Sequence, residues 1–183
     1  MAVSNLVNPF ADEIAVPVPN VVAARSAGRR IGFLSNRKPN ATVVEQELGR
    51  LAEAAGIPEQ TLFYEKPSPG VGASAELLDQ IAAECDVVMV GSADCGSCTS
   101  WCCHDAVELE NRGLSAMVLC TAAFQPLAEM QTAALGRPNL ARLEVPHPLG
   151  GSTADVAIDK ARTAWPHMEA WLKQVTASIE QTV

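Results

Sequence analysis

Four of the six cysteines of this 183-residue chain fall between Cys95 and Cys103, inside the run Gly91–Glu110, GSADCGSCTSWCCHDAVELE. A thiolate is a strong nucleophile and a soft metal ligand, so a cluster of this kind at the start of a helical pattern points to covalent, redox or metal chemistry. Cys95-Gly-Ser-Cys98 is a C-x-x-C pair, and Gly96 lets the turn bend so that the two sulfurs face each other and can join as a disulfide. Cys95 reads as the open, loop-borne thiol. Cys98 reads as lying at the start of a helix that Thr99 or Ser100 would cap. The dipole of that helix favours a thiolate by only about 0.3–1 kcal/mol, less than one pKa unit at about 1.4 kcal/mol per unit. A reactive thiolate therefore needs more help, from N–H donors of the Gly96 turn or from a cation, with His147 and Arg37 as the candidates.

Cys102 follows Cys98 by four positions and shares its helix face, whereas Cys103 points about 100° away. Cys103, Cys85 and Cys120 read as small buried hydrophobes. His104 and Asp105, in the same helix, are accessory candidates together with Cys102 and Cys103. His147 is different, because Pro146 and Pro148 fix the backbone on both sides of it in Val-Pro-His-Pro-Leu-Gly-Gly. In Ser35–Asn40, SNRKPN, a loop precedes a helix N-terminus, which suits a carboxylate or another small anion. Asn36 and Arg37 there, with Ser92 and Thr121, are the substrate-binding candidates, while Lys38 reads as a solvated charge. No G-x-G-x-x-G, P-loop or G-x-S-x-G pattern is present.

These residues need a scaffold that brings distant loops together, and the chain from Arg30 onward supplies one. Short apolar runs at Ile31–Leu34, Thr61–Tyr64, Val87–Val90, Ala116–Cys120 and Leu143–Val145 predict five strands. Helical patterns over Thr42–Ala55, Ala73–Ala83, Thr99–Arg112, Phe124–Leu135 and about Thr153–Ser178 alternate with them, the first with Asn40 as its candidate N-cap. The expected fold is a single α/β domain over residues 30–183, a parallel five-stranded sheet with helices on both faces and a flavodoxin-like strand order. Its site would lie at the carboxyl ends of the strands, where Ser35–Asn40, Gly91–Cys98, Thr121–Phe124 and Pro146–Gly151 gather. Residues 1–29, with three prolines and no sustained periodicity, read as an extended N-terminal arm.

With 48% hydrophobic residues the chain can bury a core without structural disulfides. Thirteen basic against 21 acidic residues, net charge −8, argue against nucleic acid. No apolar run approaches the roughly 20 residues of a membrane helix. The N-terminus lacks the basic and apolar regions of a secretory signal, so a cytoplasmic location is expected, where thiols stay reduced.

The segment GSADCGSCTSWCCHDAVELENRG followed by PHPLGG resembles the UGSC-motif proteins, thiol-disulfide oxidoreductases in which the Cys95 position holds selenocysteine or cysteine followed by Gly-Ser-Cys. The resemblance spans most of Arg30–Leu172. A more distant similarity connects the chain with the selenoprotein B subunit of glycine and proline-type reductases, which carry a Sec-x-x-C loop and a late His-Pro segment. The resemblance implies that Cys95 attacks, that Cys98 resolves, and that His147 belongs to the site. One departure is Cys102-Cys103 after Trp101, where that pattern has a single small residue; the pair would give this member added chemistry.

The expected function is therefore thiolate attack by Cys95 on a small electrophile and release by Cys98, in thiol-disulfide exchange or reductive cleavage. No bound cofactor is expected, an external thiol reductant or a redox partner protein completes the cycle, and a homo-oligomer is compatible with this reading. Two alternatives stand beside it. One is a lyase or transferase with a covalent Cys95 adduct and no net redox change. The other is a soft-metal site of zinc or iron on Cys95, Cys98 and Cys102, or on the wider cluster with Cys103.

Overall fold

The computed structural model describes residues 30–180, so the arm expected over residues 1–29 lies outside the described residues. The chain alternates regularly: β1 (Arg30–Ser35), α1 (Ala41–Ala54), β2 (Gln60–Glu65), α2 (Ala75–Glu84), β3 (Val87–Ala93), α3 (Gly96–Asn111), β4 (Ser115–Thr121), α4 (Gln125–Ala134), β5 (Ala141–Val145) and α5 (Ala154–Glu180). All strand pairs are parallel, in the order β2-β1-β3-β4-β5. This is the flavodoxin-like arrangement, with its reversal of winding between β1 and β3. Parallel neighbours need crossovers, and the four helices α1 to α4 provide them on both faces, while α5 follows the last strand.

β3 is buried along its whole length, as its Val-Val-Met-Val run requires of a central strand covered on both sides. On one face Val44, Leu48, Ala161, Met168 and Leu172 of α1 and α5 pack on Phe33, Met89, Leu119 and Leu143. On the other, Leu78, Ile81, Cys102, Ala106 and Ala128 of α2, α3 and α4 pack on Leu34, Val88, Val90 and Val118. Each large apolar side chain so buried contributes roughly 1.5–3 kcal/mol. Glu47 of α1 ties the first face together by accepting from Arg50 and from Arg162 of α5, each at 2.8 Å. Those two guanidinium groups lower its pKa to about 2. No helix among the described residues is long and apolar enough to cross a membrane.

Two local expectations change. Asn40 does stand at the N-cap position of α1, but with φ 66° and no capping bond from its side chain. Its amide instead reaches across to Leu149 O (2.9 Å) and Ser152 O (2.8 Å). Helix α3 begins at Gly96, not at Thr99, because Cys95 itself occupies the N-cap and its sulfur accepts from the Cys98 N–H. The hydroxyls of Thr99 and Ser100 donate backwards to Cys95 O and Gly96 O and do not cap the helix.

Candidate functional site

Strands β1, β3, β4 and β5 end on one edge of the sheet and deliver the predicted residues there. β3 runs straight into Asp94 and Cys95, and the cysteine pair is joined as a disulfide with Cα atoms 5.3 Å apart. The two sulfurs differ in access: Cys95 is half-buried, whereas Cys98 is 1% exposed. The Cys98 N–H points at the Cys95 sulfur at 3.3 Å. An N–H at the positive end of a 16-residue helix is the kind of donor that stabilises a thiolate once the pair is reduced. Dipole and access thus favour the same residue, Cys95, where the sequence alone sets them against each other.

Beside the cysteine pair, Asp94 organises the turn that carries His147. Its carboxylate accepts from Leu149 N–H (3.1 Å) and Gly150 N–H (2.8 Å) and lies 3.1 Å from His147 Nδ1. Thr121 Oγ at the end of β4 is also 3.1 Å from that nitrogen. Burial by itself would raise the Asp94 pKa; the Gly150 and Leu149 amides, the Thr121 hydroxyl and His147 together hold it below the ordinary value. Gly150 is needed for the approach, since a Cβ there would lie 3.2 Å from Asp94 Oδ2. The turn is fixed from outside as well, by Lys160 Nζ on Pro148 O at 2.5 Å.

Asn36 is completely buried and joins β1 to β3: its amide donates to Ser92 O and accepts from Ser92 N–H, both at 2.9 Å. It also approaches Cys102 Sγ at 3.5 Å. These contacts make Asn36 a clamp on the floor of the site. Ser92 lies fully buried with a hydroxyl that has no partner among the described residues. Arg37 is exposed and faces Glu65 at 3.7 Å, towards the β2 edge.

Helix α3 sends its accessory candidates in different directions. Burial pushes the Cys102 thiol far up, and it pushes Cys103 to about 11. Cys103 Sγ is turned to Ala128 O on α4, between the helices. His104 is exposed and meets Trp101 edge-on, away from the cysteine pair. Asp105 is buried, takes the completely buried Lys66 ammonium at 2.5 Å and accepts from Ala73 N–H, so it anchors the segment after β2. The interior thiols Cys85 and Cys120 are raised by burial to about 11 and 12. No group of three or more His, Cys, Asp or Glu among the described residues is arranged to hold a metal ion. The alternative metal set is not assembled in this form, since Cys95 and Cys98 are bonded to each other and Cys102 is turned to Asn36.

Three buried ionisable groups of this edge were not anticipated. Asp94 carries a signal in the sequence, an acid directly before Cys95 at a strand end. Lys66 and Glu45 carry none, because their burial depends on residues far along the chain. Glu45 of α1 is 1% exposed and its carboxyl has no hydrogen bond of normal geometry; the adjacent Ser35 hydroxyl is already engaged with Thr42 at 2.9 Å. Burial, with Glu65 adding to it, raises its pKa well above 4.5 against the opposing effect of Ser35. Gly91 leaves it room, as a Cβ there would meet Glu45 Oε1 at 3.0 Å.

Fold and site together define a flavodoxin-like α/β domain with a cysteine pair at the N-terminus of the helix after its central strand. Within that class the chain belongs to the UGSC family, whose model matches residues 6–174. No curated protein matches it, and the similarity to the selenoprotein B subunit is not shown. Among solved structures, the crystal structure of a diflavin flavoprotein A3 from Nostoc sp. is similar with a TM-score of 0.48 and 10% identity, over 83% of this chain and 98% of that one.

Proposed function

We propose that the protein is a thiol-dependent oxidoreductase in which Cys95 attacks a small electrophile and Cys98 resolves the adduct. The observation that carries this reading is the unequal placement of two sulfurs within bonding distance, the half-buried one at a helix N-cap and the buried one behind it. In the first step the Cys95 thiolate displaces Y⁻ from a substrate X–Y and forms Cys95–S–X. In the second the Cys98 thiol attacks the Cys95 sulfur, and the pair of the S–X bond leaves with X, which departs as H–X. The substrate gains two electrons and the cysteine pair is left as a disulfide. An external dithiol or a redox partner protein then reduces that disulfide by exchange. His147 belongs to the site beside this pair, and no bound cofactor is required by these steps.

Hydroxyethyl disulfide serves as a test electrophile for the reduced protein. Cys98→Ser should retain a mixed disulfide on Cys95, found by mass spectrometry, and lose multiple turnover; Cys95→Ser should form no adduct. An adduct on Cys98 in Cys95→Ser, with none in Cys98→Ser, reverses the roles and contradicts the proposal. A stable Cys95 adduct with no Cys95–Cys98 disulfide in the unaltered protein supports the lyase or transferase alternative instead.

A further inference from the structure

We propose that His147 carries the proton of the Cys95 thiol to the departing group and that Asp94 is the positioning residue that holds it in the required tautomer. This inference rests on the thiol reading above and assigns a part to Asp94. Cys95 and His147 are far apart in sequence, but Asp94, the neighbour of the first, touches the second at 3.1 Å. Asp94, Thr121 and His147 follow three different strands and meet only through the parallel order of β3, β4 and β5.

The tautomer follows from the partners. An ionised carboxylate accepts hydrogen bonds and cannot donate, and two backbone amides already point at Asp94. The Thr121 hydroxyl donates to Ala93 O (3.4 Å) and so presents a lone pair to the same ring nitrogen; facing two acceptors, Nδ1 carries the proton. Nε2 is left as the nitrogen with a free lone pair. The His147 side chain is 39% exposed and lies beside Phe124 with ring centroids 5.8 Å apart, so it is both accessible and steadied. The proton cycle balances. Nε2 takes the proton of Cys95–SH, and the thiolate attacks one sulfur of R–S–S–R. The new S–S bond forms as the old one breaks, and RS⁻ removes the proton from Nε2–H. The products are Cys95–S–S–R, RSH and neutral His147, with Asp94 opposite the imidazolium in between.

Asp94 also clamps the turn through Leu149 and Gly150, so its part in positioning must be separated from a purely structural one. The leaving group separates them: an aromatic thiolate departs without protonation, whereas an alkyl thiolate gains from it. In the full-length, reduced Cys98→Ser protein, the rates of mixed-disulfide formation with hydroxyethyl disulfide and with dithiobis-nitrobenzoate give a ratio. His147→Gln and Asp94→Asn should each lower that ratio about tenfold or more, within the range of general acid–base effects. The control His167→Gln, on the exposed side of α5, should leave it at the starting value. An unchanged ratio in His147→Gln overturns the proton transfer, and equal slowing of both probes in Asp94→Asn reduces Asp94 to a clamp. Ring-nitrogen NMR shifts of neutral His147 in the unsubstituted protein read the tautomer without any variant: Nδ1–H is expected, and Nε2–H contradicts the inference. If Cys95→Ser reacts as fast as Cys98→Ser, the thiol reading itself falls, a result distinct from any change in the ratio.

Discussion

Asp94 and Glu45 are both buried carboxyl groups at the end of β3, and they are treated in opposite ways. Asp94 receives two backbone N–H groups and a histidine and is held ionised. Glu45, against Gly91 on the α1 face, receives no hydrogen bond of normal geometry, and burial raises its pKa well above the ordinary value. Burial acts to raise the pKa of both; at Asp94 the donors outweigh it, and at the more deeply buried Glu45 they do not. The pair teaches where the fold has invested polar contacts: on the side that fixes His147, and not on the side facing the α1–α5 core.

Removing the better-served carboxylate should have the largest effect. Asp94→Ala leaves the Leu149 and Gly150 amides without their acceptor and frees His147, so urea unfolding should show a loss of roughly 2–4 kcal/mol. A loss below about 1 kcal/mol would mean that Asn40 and Lys160 suffice to hold the turn. Glu45→Met should act in the other direction, raising stability at mildly alkaline pH by about 1–3 kcal/mol, as replacing an unpaired buried ionisable group by an apolar one often does. The folded-state pKa of Glu45 lies above its ordinary 4.5, so its contribution is intact below that value and declines as pH rises towards the folded-state value. Thermal unfolding across pH should be flatter in Glu45→Met, and an unaltered slope would show that this carboxyl has a partner in solution.

Glu47 marks the small end of the scale. Its pKa is depressed to about 2, so its ion pairs contribute above 4.5 and are lost as pH falls towards 2. Arg50 and Arg162 are more than half exposed, which limits the contribution to about 0.5–1 kcal/mol. Glu47→Gln should cost no more than that at neutral pH and nothing near pH 2.

The five strands were legible because a Val-rich run bounded by turn residues has few alternatives, and their parallel order followed from the intervening helices. The edges of elements were less so. β5 begins at Ala141, two residues before the expected Leu143, because pairing with β4 continues through Ala141 and Arg142, and the charged Arg142 interrupts the apolar run. The start of α3 was displaced by three residues because a cysteine serves as its N-cap, a part more often taken by Ser, Thr, Asp or Asn. Cys95, Cys98, Thr121 and His147 were singled out from residue type and loop position, and the strand order places them at the carboxyl ends of β3, β4 and β5. Asp105 was noticed for its position beside His104, whereas its partner Lys66 is 39 residues away and its role is to hold that ammonium. Pairings of that range belong to the topology, and local patterns do not carry them.

The central claim is that one thiol of six is built to react. Treating the reduced protein with less than one equivalent of iodoacetamide near neutral pH, then locating the label by mass spectrometry, tests it directly. Cys102, with its thiol pushed far up, and Cys85, Cys103 and Cys120, with pKa values of about 11 to 12, should stay unlabelled, as their thiolate fraction is tiny. The account predicts label on Cys95 ahead of Cys98 and of every interior cysteine. Faster labelling of Cys98, or of any of the four interior thiols, would contradict it.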